Sequence, residues 1–401
     1  MAQGNDRVQV VVAGAGPVGS VAAALLAQAG IDVLLAEAGP DAAQDLRAST
    51  FHAPTLEMLD RLDVSAPLIA MGLKAPVYHW RDRRSGEVLS FDLAEIADVT
   101  RYPFRLQCEQ YHLARMLSDR LSKLDRAEVA FNHRVVHVEQ DENGVTVSLE
   151  HPTGIRRVKA DYLIGADGAN SAVRKWLGIE FDGFTYPEKF LCLSTEHPVD
   201  QAIPNLAHVN YISDPDEWLV LLRVPTLWRV LVPTSPEDTV EELLGDAKKD
   251  RVFDGIVGPG SKVETKHRTI YSVHQRVAKQ FRVGRVLLMG DAAHLNNPLG
   301  GFGMNSGIHD AFSACDKLVE VIGGADSSLL DLYDRQRRTV THNFTQAQTI
   351  DNMEMIRAGQ GEAHRRRLET MRALAADPDK RRAFLLRQAM FTSIAEAEAV
   401  A

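Results

Sequence analysis

The stretch VVVAGAGPVGSVAAALLAQAGIDVLLAEAG, residues 10–39, carries two apolar runs separated by a glycine-rich turn and an Ala- and Leu-rich segment. The pattern predicts a buried strand over 8–13, a helix over 18–29 and a second buried strand over 31–36. Gly30 lies where a helix C-cap is expected. This order of strand, turn, helix and strand is typical of a βαβ unit that binds a dinucleotide.

Three glycines in the turn, Gly14, Gly16 and Gly19, form the pattern G-x-G-x-x-G. In such a unit the first glycine permits the tight turn, the second lets a pyrophosphate approach the backbone, and the third lets the helix pack on the strand. Pro17 and Val18 open the helix, whose unpaired N–H groups point at the phosphates. All five residues are therefore predicted to contact the cofactor or to shape its site.

Glu37 ends the second predicted strand, 18 residues after Gly19, and Ala38 follows it. A carboxylate at this spacing is expected to accept a hydrogen bond from a ribose 2′-OH. It would repel a 2′-phosphate, so the site should hold FAD or NAD rather than NADP. The motif by itself does not choose between FAD and NAD.

Bulk composition limits the classes of function. The chain has 401 residues and a net charge of −9, with 45% hydrophobic and 25% charged residues, as in ordinary globular proteins. No basic block or long apolar run predicts a nucleic-acid partner or a membrane segment. The three cysteines are scattered, without metal-ligand or disulfide spacing, so no metal site is expected and a cytoplasmic location is predicted.

Two later stretches repeat the layout of a buried strand followed by a polar turn. The first is DYLIGADGANSAVRKWLGI, residues 161–179, in which Asp167 and Gly168 follow a short apolar run. The second is GRVLLMGDAAHLNNPLGGFGMNSGIHDAFSACDKL, residues 284–318, in which a glycine-rich loop leads into a long helical pattern. Both stretches are therefore expected at the same sheet edge as the first turn.

Together the three motifs resemble those of the FAD-dependent aromatic hydroxylases, the single-component flavoprotein monooxygenases of the para-hydroxybenzoate hydroxylase type. The resemblance implies an α/β fold in which a Rossmann-like (GR2-type) FAD-binding domain carries an inserted antiparallel β-sheet substrate domain and a C-terminal helical segment. One departure is Asn297-Pro298, where many members have two prolines. The loop is therefore expected to be less rigid.

The resemblance implies a set of flavin contacts in the late motif. Asp291 would accept a hydrogen bond from a ribityl hydroxyl, and the start of the following helix would stabilise negative charge on reduced flavin. The implied backbone contacts are at Pro298, Gly301, Gly303, Met304 and Asn305.

Further implied contacts lie outside this loop. Arg47 and Gln107 would meet the pyrophosphate and ribityl region, and Val136 would meet the adenine. Asp167 and Gly168 would serve both FAD and the nicotinamide cofactor. Structural alternatives stay open for Arg47 as a loop charge, Gln107 as a helix-surface residue and Asp167 as a turn residue.

The domains are expected to be discontinuous. The FAD-binding domain is predicted at 1–75, 100–185 and 275–325, the substrate-binding β-sheet domain at 76–99 and 186–274, and the C-terminal helical region at 326–401. The charges of the last 40 or so residues, including Arg381 and Arg382, are expected on a solvated face.

The activity implied by the resemblance is monooxygenation of a phenolic or N-heteroaromatic small molecule. NADH or NADPH reduces FAD, and O₂ then yields a flavin C4a-hydroperoxide that transfers its distal OH to the ring. A flavin-dependent reductase of a double bond and an FAD-binding sensor are the alternatives. A homodimer is the expected assembly.

Three residues are candidates for the substrate side of the site. Tyr211 would hydrogen-bond a phenol, Arg223 would clamp a carboxylate, and His52 would assist phenol deprotonation. A purely structural role stays open for each of them.

Overall fold

The computed structural model describes residues 7–42, 48–357 and 361–401. The strands are β1 (Arg7–Ala13), β2 (Val33–Ala36), β3 (Thr50–Phe51), β4 (Leu73–Ala75), β5 (Val77–Asp82), β6 (Val88–Asp92), β7 (Arg105–Gln107), β8 (Ala127–Ala130), β9 (Arg134–Asp141), β10 (Gly144–His151), β11 (Gly154–Gly165), β12 (Phe181–Thr195), β13 (Val209–Ser213), β14 (Leu219–Arg223), β15 (Trp228–Pro233), β16 (His267–Ala278), β17 (Arg282–Val283), β18 (Val286–Leu288) and β19 (His294–Leu295).

The α-helices are α1 (Pro17–Gln28), α2 (Ala53–Leu59), α3 (Ser65–Met71), α4 (Gln110–Leu121), α5 (Ala172–Trp176), α6 (Val199–Ala202), α7 (Val240–Leu244), α8 (Asp246–Val257), α9 (Phe302–Ile322), α10 (Ser328–Val340), α11 (Ala347–Ile356), α12 (Glu362–Ala376), α13 (Pro378–Gln388) and α14 (Phe391–Glu398). A π-helical turn, Thr341–Gln346, joins α10 to α11. Within the described ranges, no helix is long and apolar enough to cross a membrane.

The first sheet contains the predicted βαβ unit. Its strand order is β17-β18-β11-β1-β2-β8, and β10 and β9 extend it from β11. β1 lies parallel to β2 and β11, with Val10 opposite Val33 and Tyr162. Helices α1, α4 and α9 pack together, and their apolar side chains share one core with the apolar runs of this sheet.

The second sheet has the order β19-β16-β12-β15-β14-β13-β5-β6 and is antiparallel except between β13 and β5. The hairpin of β5 and β6 therefore pairs with strands that follow it by more than a hundred residues. Because side chains alternate along each strand, one face of this sheet packs on α8 and the other is directed at the first sheet and the C-terminal helices.

Two of the predicted domain ends fall inside continuous strands. β12 runs from Phe181 to Thr195 and β16 from His267 to Ala278, and the two pair along most of their length. The ends predicted at 185 and 274 thus divide strands that the backbone leaves whole. The division into domains stays a prediction, with those ends better placed near 180 and 279.

Helices α12 and α13 pack on the β5–β6 hairpin. Their apolar side chains join a core that includes Tyr78 and Phe91. Arg381 pairs with Glu95 at 2.8 Å, and Arg382 pairs with Asp98 at 2.6 Å. Both arginines keep part of their side chains exposed and form ion pairs with carboxylates next to the hairpin.

Candidate active site

A cavity of about 620 Å³ lies between the carboxyl ends of the first sheet's parallel strands and one face of the second sheet. The turn after β1, the segment after β2, the turn after β11 and the loop before α9 form one part of its wall. Side chains of β13, β14, β15 and β16 form the other part. The three sequence motifs therefore meet at one site. In open α/β sheets, ligands bind at the carboxyl ends of the strands, which is where this site lies.

The three glycines of the first turn have different neighbours. Gly14 has φ +99°, and a Cβ there would lie 2.4 Å from the carbonyl O of Ala166. A Cβ on Gly19 would lie 1.9 Å from the carbonyl O of Gly14. A Cβ on Gly16 would meet no described atom within 4 Å, although Gly16 lines the cavity. Gly14 and Gly19 are needed by the chain itself, whereas Gly16 leaves room for a group that enters the cavity, which fits a pyrophosphate.

The carboxylate of Glu37 is held at the end of β2. Its Oε2 accepts the Ala15 N–H at 2.7 Å, and its Oε1 accepts the Gly39 N–H at 2.8 Å. Glu37 and Ala38 both line the cavity. The backbone thus fixes a carboxylate in the wall, where a ribose hydroxyl could donate to its remaining lone pairs.

Asp167 serves the chain as well as the cavity. Its Oδ2 accepts the N–H groups of Ala172 at 2.7 Å and Val173 at 3.1 Å, and Ser171 Oγ donates to its Oδ1 at 2.5 Å. These bonds cap the start of α5. Asp167 and Gly168, the latter with φ +75°, nevertheless line the cavity, so the structure brings both proposed roles together.

In the loop before α9, most of the predicted contacts share the cavity wall. These are Asp291, Pro298, Gly301, Gly303 and Met304. Asn305 lies behind them, fully buried: its Nδ2 donates to Thr50 O at 2.8 Å and to Gly301 O at 2.7 Å, and its Oδ1 accepts the His52 N–H. Its side chain therefore links the loop before α9 to β3 and to His52.

Asn297 occupies the position of the missing proline ring. Its Nδ2 donates to Thr349 O at 2.8 Å, and its Oδ1 accepts the Leu299 N–H at 3.1 Å. The residue is fully buried. These side-chain hydrogen bonds link the loop to α11 at the position where many members have a second ring, and the expected lower rigidity stays a prediction.

Besides Gly19 and Asn305, two further predicted contacts among the described residues lie outside the wall. Gln107 is buried behind it and accepts a hydrogen bond from Thr50 Oγ1 at 3.0 Å, whereas Gln110, the first residue of α4, lines the cavity. Val136 is replaced in the wall by its neighbour Val135. Arg47 lies outside the described residues.

His52 lies outside the wall and is fully buried. Burial, and secondarily the charge of Arg105, lower its pKa to about 3. The ring is therefore neutral, and its Nε2–H donates to Gly300 O at 2.8 Å. This bond holds the loop and favours a positioning role over the predicted role as a base.

Tyr211 and Arg223 were both predicted to face the substrate, and the structure separates them. Tyr211 lines the cavity, and its hydroxyl accepts a hydrogen bond from Arg105 Nη1 at 3.1 Å. On β14, Val220 and Leu222 line the cavity, so Arg223 points to the opposite face, where its guanidinium lies 5.6 Å from the centre of the Trp228 ring.

Two buried arginines that sequence reasoning missed line the cavity, as does the exposed Arg134. Arg105 on β7 and Arg229 on β15 are only 2% and 3% exposed. Arg229 Nη1 donates to Ser49 Oγ at 3.3 Å, and its Nε and Nη2 have no hydrogen-bond partner among the described residues. The same is true of Arg105 Nε. The available signal was an arginine inside an otherwise apolar strand, WRVLVP.

One cluster of possible metal ligands adjoins the site. Side-chain atoms of Cys108, Glu109 and His112 lie within 4.8 Å of one another. With no metal present, burial raises the pKa of the Cys108 thiol to about 12.

Comparison with known proteins agrees with this geometry. The family model described as an FAD binding domain matches residues 7–348. Para-nitrophenol 4-monooxygenase of a Pseudomonas species is 34% identical, over 87% of this chain and 89% of that protein. The 6-hydroxy-3-succinoylpyridine 3-monooxygenase HspB of Pseudomonas putida is 32% identical, over 94% of this chain and 96% of its own length.

Solved structures extend the agreement to the whole fold. The crystal structure of p-nitrophenol 4-monooxygenase PnpA from Pseudomonas putida superposes with a TM-score of 0.90 at 30% identity, covering 97% of this chain and 98% of that one. The flavin-dependent monooxygenase PieE, solved with FAD and substrate, gives 0.80 at 25% identity, over 98% and 73% of the two chains. The chain belongs to the FAD-dependent aromatic monooxygenases, enzymes that use NAD(P)H and O₂ to hydroxylate small aromatic compounds.

Proposed function

We propose that this monooxygenase hydroxylates a small phenol, or a hydroxylated N-heteroaromatic compound, that binds as an anion. The observation that carries the proposal is the pair Arg105 and Arg229, two buried guanidinium groups in the cavity wall with unsatisfied N–H donors among the described residues. A buried cation without a counter-ion is costly. The Tyr78 ring, whose centre lies 4.2 Å from the Arg105 guanidinium, offsets part of this cost, and a ligand of opposite charge offsets more.

The two arginines are placed to bind and to activate the ring. Arg105 also donates to the hydroxyl of Tyr211, and this hydroxyl could donate a second hydrogen bond to the same anion. Cations beside a phenol favour its ionised form, and a phenolate ring is more electron-rich than a phenol ring. Bound FAD, when reduced by NADH or NADPH, supplies the activated oxygen that such a ring attacks.

The rest of the sheet wall excludes water. Apolar side chains cover the face between Tyr211 and β16, namely those of Val220, Leu222, Leu231 and Val273. From the other side, Leu299 and Phe302 enclose the same space. An apolar surrounding strengthens the attraction between the arginines and an anionic ligand.

Replacement of Arg229 by Met tests the proposal. The probes are 4-nitrophenol in its ionised form and its methyl ether, and the dissociation constants are measured on the FAD-loaded protein. Loss of a charge-assisted hydrogen bond should weaken binding of the phenolate about 10- to 100-fold and leave the ether nearly unchanged. Arg105→Met should behave in the same way.

Arg223→Met is the matched control, because Arg223 lies on the facing strand with its side chain on the opposite face of the sheet. If the control weakens phenolate binding as much as Arg229→Met does, the anion site is wrongly placed. If the wild-type protein binds the ether as tightly as the phenolate, the anionic substrate is contradicted. O₂ uptake with each phenol, together with product yield, then identifies the compounds that are hydroxylated.

Two expectations from the sequence stay predictions. A homodimer is expected and is tested by sedimentation of the FAD-loaded protein. A cytoplasmic location agrees with the free thiols of Cys108, Cys192 and Cys315, and fractionation of the source cells tests it.

A further inference from the structure

A second, smaller cavity lies beside the main one, between the second sheet and the C-terminal helices. Its volume is about 30 Å³, compared with the roughly 10–15 Å³ that a water molecule needs. Tyr211 belongs to the walls of both cavities. The other walls are Tyr78, Trp80, Phe91, residues 352, 355 and 356 of α11, Met371 of α12, and residues 384 and 388 of α13.

The strand register explains why the two cavities adjoin. Tyr211 on β13 lies opposite Trp80 on β5 and opposite Val220 on β14. Val220 lines the main cavity, and Tyr78 and Trp80, two residues apart, share the face that lines the small one. One face of the sheet thus runs from the main cavity into the small cavity, past Tyr211.

Two buried donors on residues of the small cavity's wall have no hydrogen-bond partner among the described residues. They are the Tyr78 hydroxyl and the Trp80 Nε1–H. Burial raises the pKa of Tyr78 well above its usual value, so the hydroxyl keeps its proton. The amides in the wall are already engaged, since Asn352 Oδ1 accepts from both Gln348 and Gln388. An unsatisfied buried donor costs free energy unless an acceptor reaches it.

We propose that the small cavity is a subsite that binds a compact hydrogen-bond acceptor on the substrate ring, a carbonyl or nitro oxygen, through Tyr78 and Trp80. The ring lies in the main cavity, and its substituent passes Tyr211. The volume admits a group of two or three heavy atoms, and the donors, together with the apolar wall, favour a neutral acceptor over a second carboxylate. This inference rests on the proposed function, because it assumes an aromatic ligand in the main cavity.

The test compares hydroxyacetophenones with the isopropenylphenols of the same shape, in all three ring positions, by calorimetric binding to the FAD-loaded protein. Tyr78→Phe and Trp80→Phe each remove one donor. For at least one positional isomer, each variant should lower the affinity for the ketone relative to the matched isopropenylphenol by about 3- to 10-fold. Comparing each variant with the wild-type protein cancels the difference in phenol acidity between the two ligands.

Tyr78→Phe also distinguishes an effect on ligand binding from an effect on folding stability. Because it removes a buried hydroxyl without a partner and keeps the ring, the melting temperature without ligand should not fall. Tyr102→Phe, whose hydroxyl donates to Asp60 away from both cavities, is the control and should change neither ligand's affinity.

The outcomes distinguish this inference from the proposed function. If both ligand series bind and neither variant changes the preference for the ketone, water satisfies the donors and the subsite is overturned alone. If no phenol of either series binds to the wild-type protein, the anionic phenol site fails and the subsite fails with it. A selective loss of ketone affinity supports both.

Discussion

The two halves of the main cavity are built in different ways. The nucleotide half, from Gly14 to Gly16 and from Pro298 to Met304, offers mainly backbone and glycine positions. The sheet half, from β13 to β16, offers side chains from strands that are distant in the chain. The first half follows from local sequence and fits a fixed cofactor. The second depends on which face each strand turns inward, and so it can change with the substrate.

The largest expected effect comes from the glycine that packs helix on strand. In Gly19→Ala the new Cβ would lie 1.9 Å from the carbonyl O of Gly14, so α1 must move away from β1. Alanine's better helix propensity contributes about 1 kcal/mol, which is smaller than the roughly 3 kcal/mol or more expected from overpacking. Urea unfolding without FAD should show this loss, and an unchanged midpoint would contradict the packing argument.

Gly16→Ala should separate the cofactor from the fold. Its φ of −68° suits any residue, and the Cβ meets no described atom within 4 Å. The free energy of unfolding without FAD should therefore change by less than about 0.5 kcal/mol. The affinity for FAD, measured by flavin fluorescence, should fall about 100-fold or more because the Cβ occupies the approach to the pyrophosphate. Full FAD affinity would place the phosphates elsewhere.

The third prediction concerns the buried ring of His52, which holds the loop of the nucleotide half. Its pKa is about 3 in the fold against 6.5 as the ordinary value, so the unfolded chain binds an extra proton between these pH values. Stability should therefore fall as pH decreases from 6.5 toward 3, by roughly 1 kcal/mol per pH unit from this residue. His52→Gln should reduce that slope by one proton in urea titrations at pH 4 to 6.

The exposed residue His267 supplies the control His267→Gln for that slope. Hydroxylation by His52→Gln should keep its pH dependence above pH 5, since the neutral ring takes no proton from the substrate there. If instead an acidic limb near pH 6 to 7 disappears from the rate profile, His52 is the base and its positioning role is wrong.

The smallest expected effect comes from an ion pair of α13, a helix that lines the small cavity. Arg381→Met removes the ion pair with Glu95. The side chains of Arg381 and Glu95 are 22% and 31% exposed. Such pairs contribute under about 1 kcal/mol, and salt screens them. The melting temperature should fall by a degree or two at low salt and less at high salt, and ketone affinity should stay unchanged. A large loss of ligand affinity would make this pair part of the site.

The accuracy of the sequence-based predictions differs between backbone elements and individual side-chain contacts. The βαβ unit was placed within one or two residues, because its strands are continuous apolar runs and its glycines are fixed by backbone conformation. Side-chain contacts were placed less well on both sides of the cavity: Arg223, Gln107 and Val136 lie outside the wall, and Arg229, Gln110 and Val135 line it instead. A shift of one residue turns a strand side chain to the opposite face, and only pairing with distant strands decides that face.

The parallel pairing of β5 with β13 also has a consequence for biosynthesis. The hairpin of β5 and β6 leaves the ribosome well before its partner, since roughly 120 residues separate Asp92 from Ser213. At about 5–20 residues per second, the edge of β5 waits on the order of 6 to 24 seconds for β13. During that interval its backbone N–H and C=O groups, and the aromatic rings of Tyr78 and Trp80, lack the sheet that will cover them. The hairpin strand β5, which joins the substrate side through β13, is thus open to wrong pairing while the chain is being made.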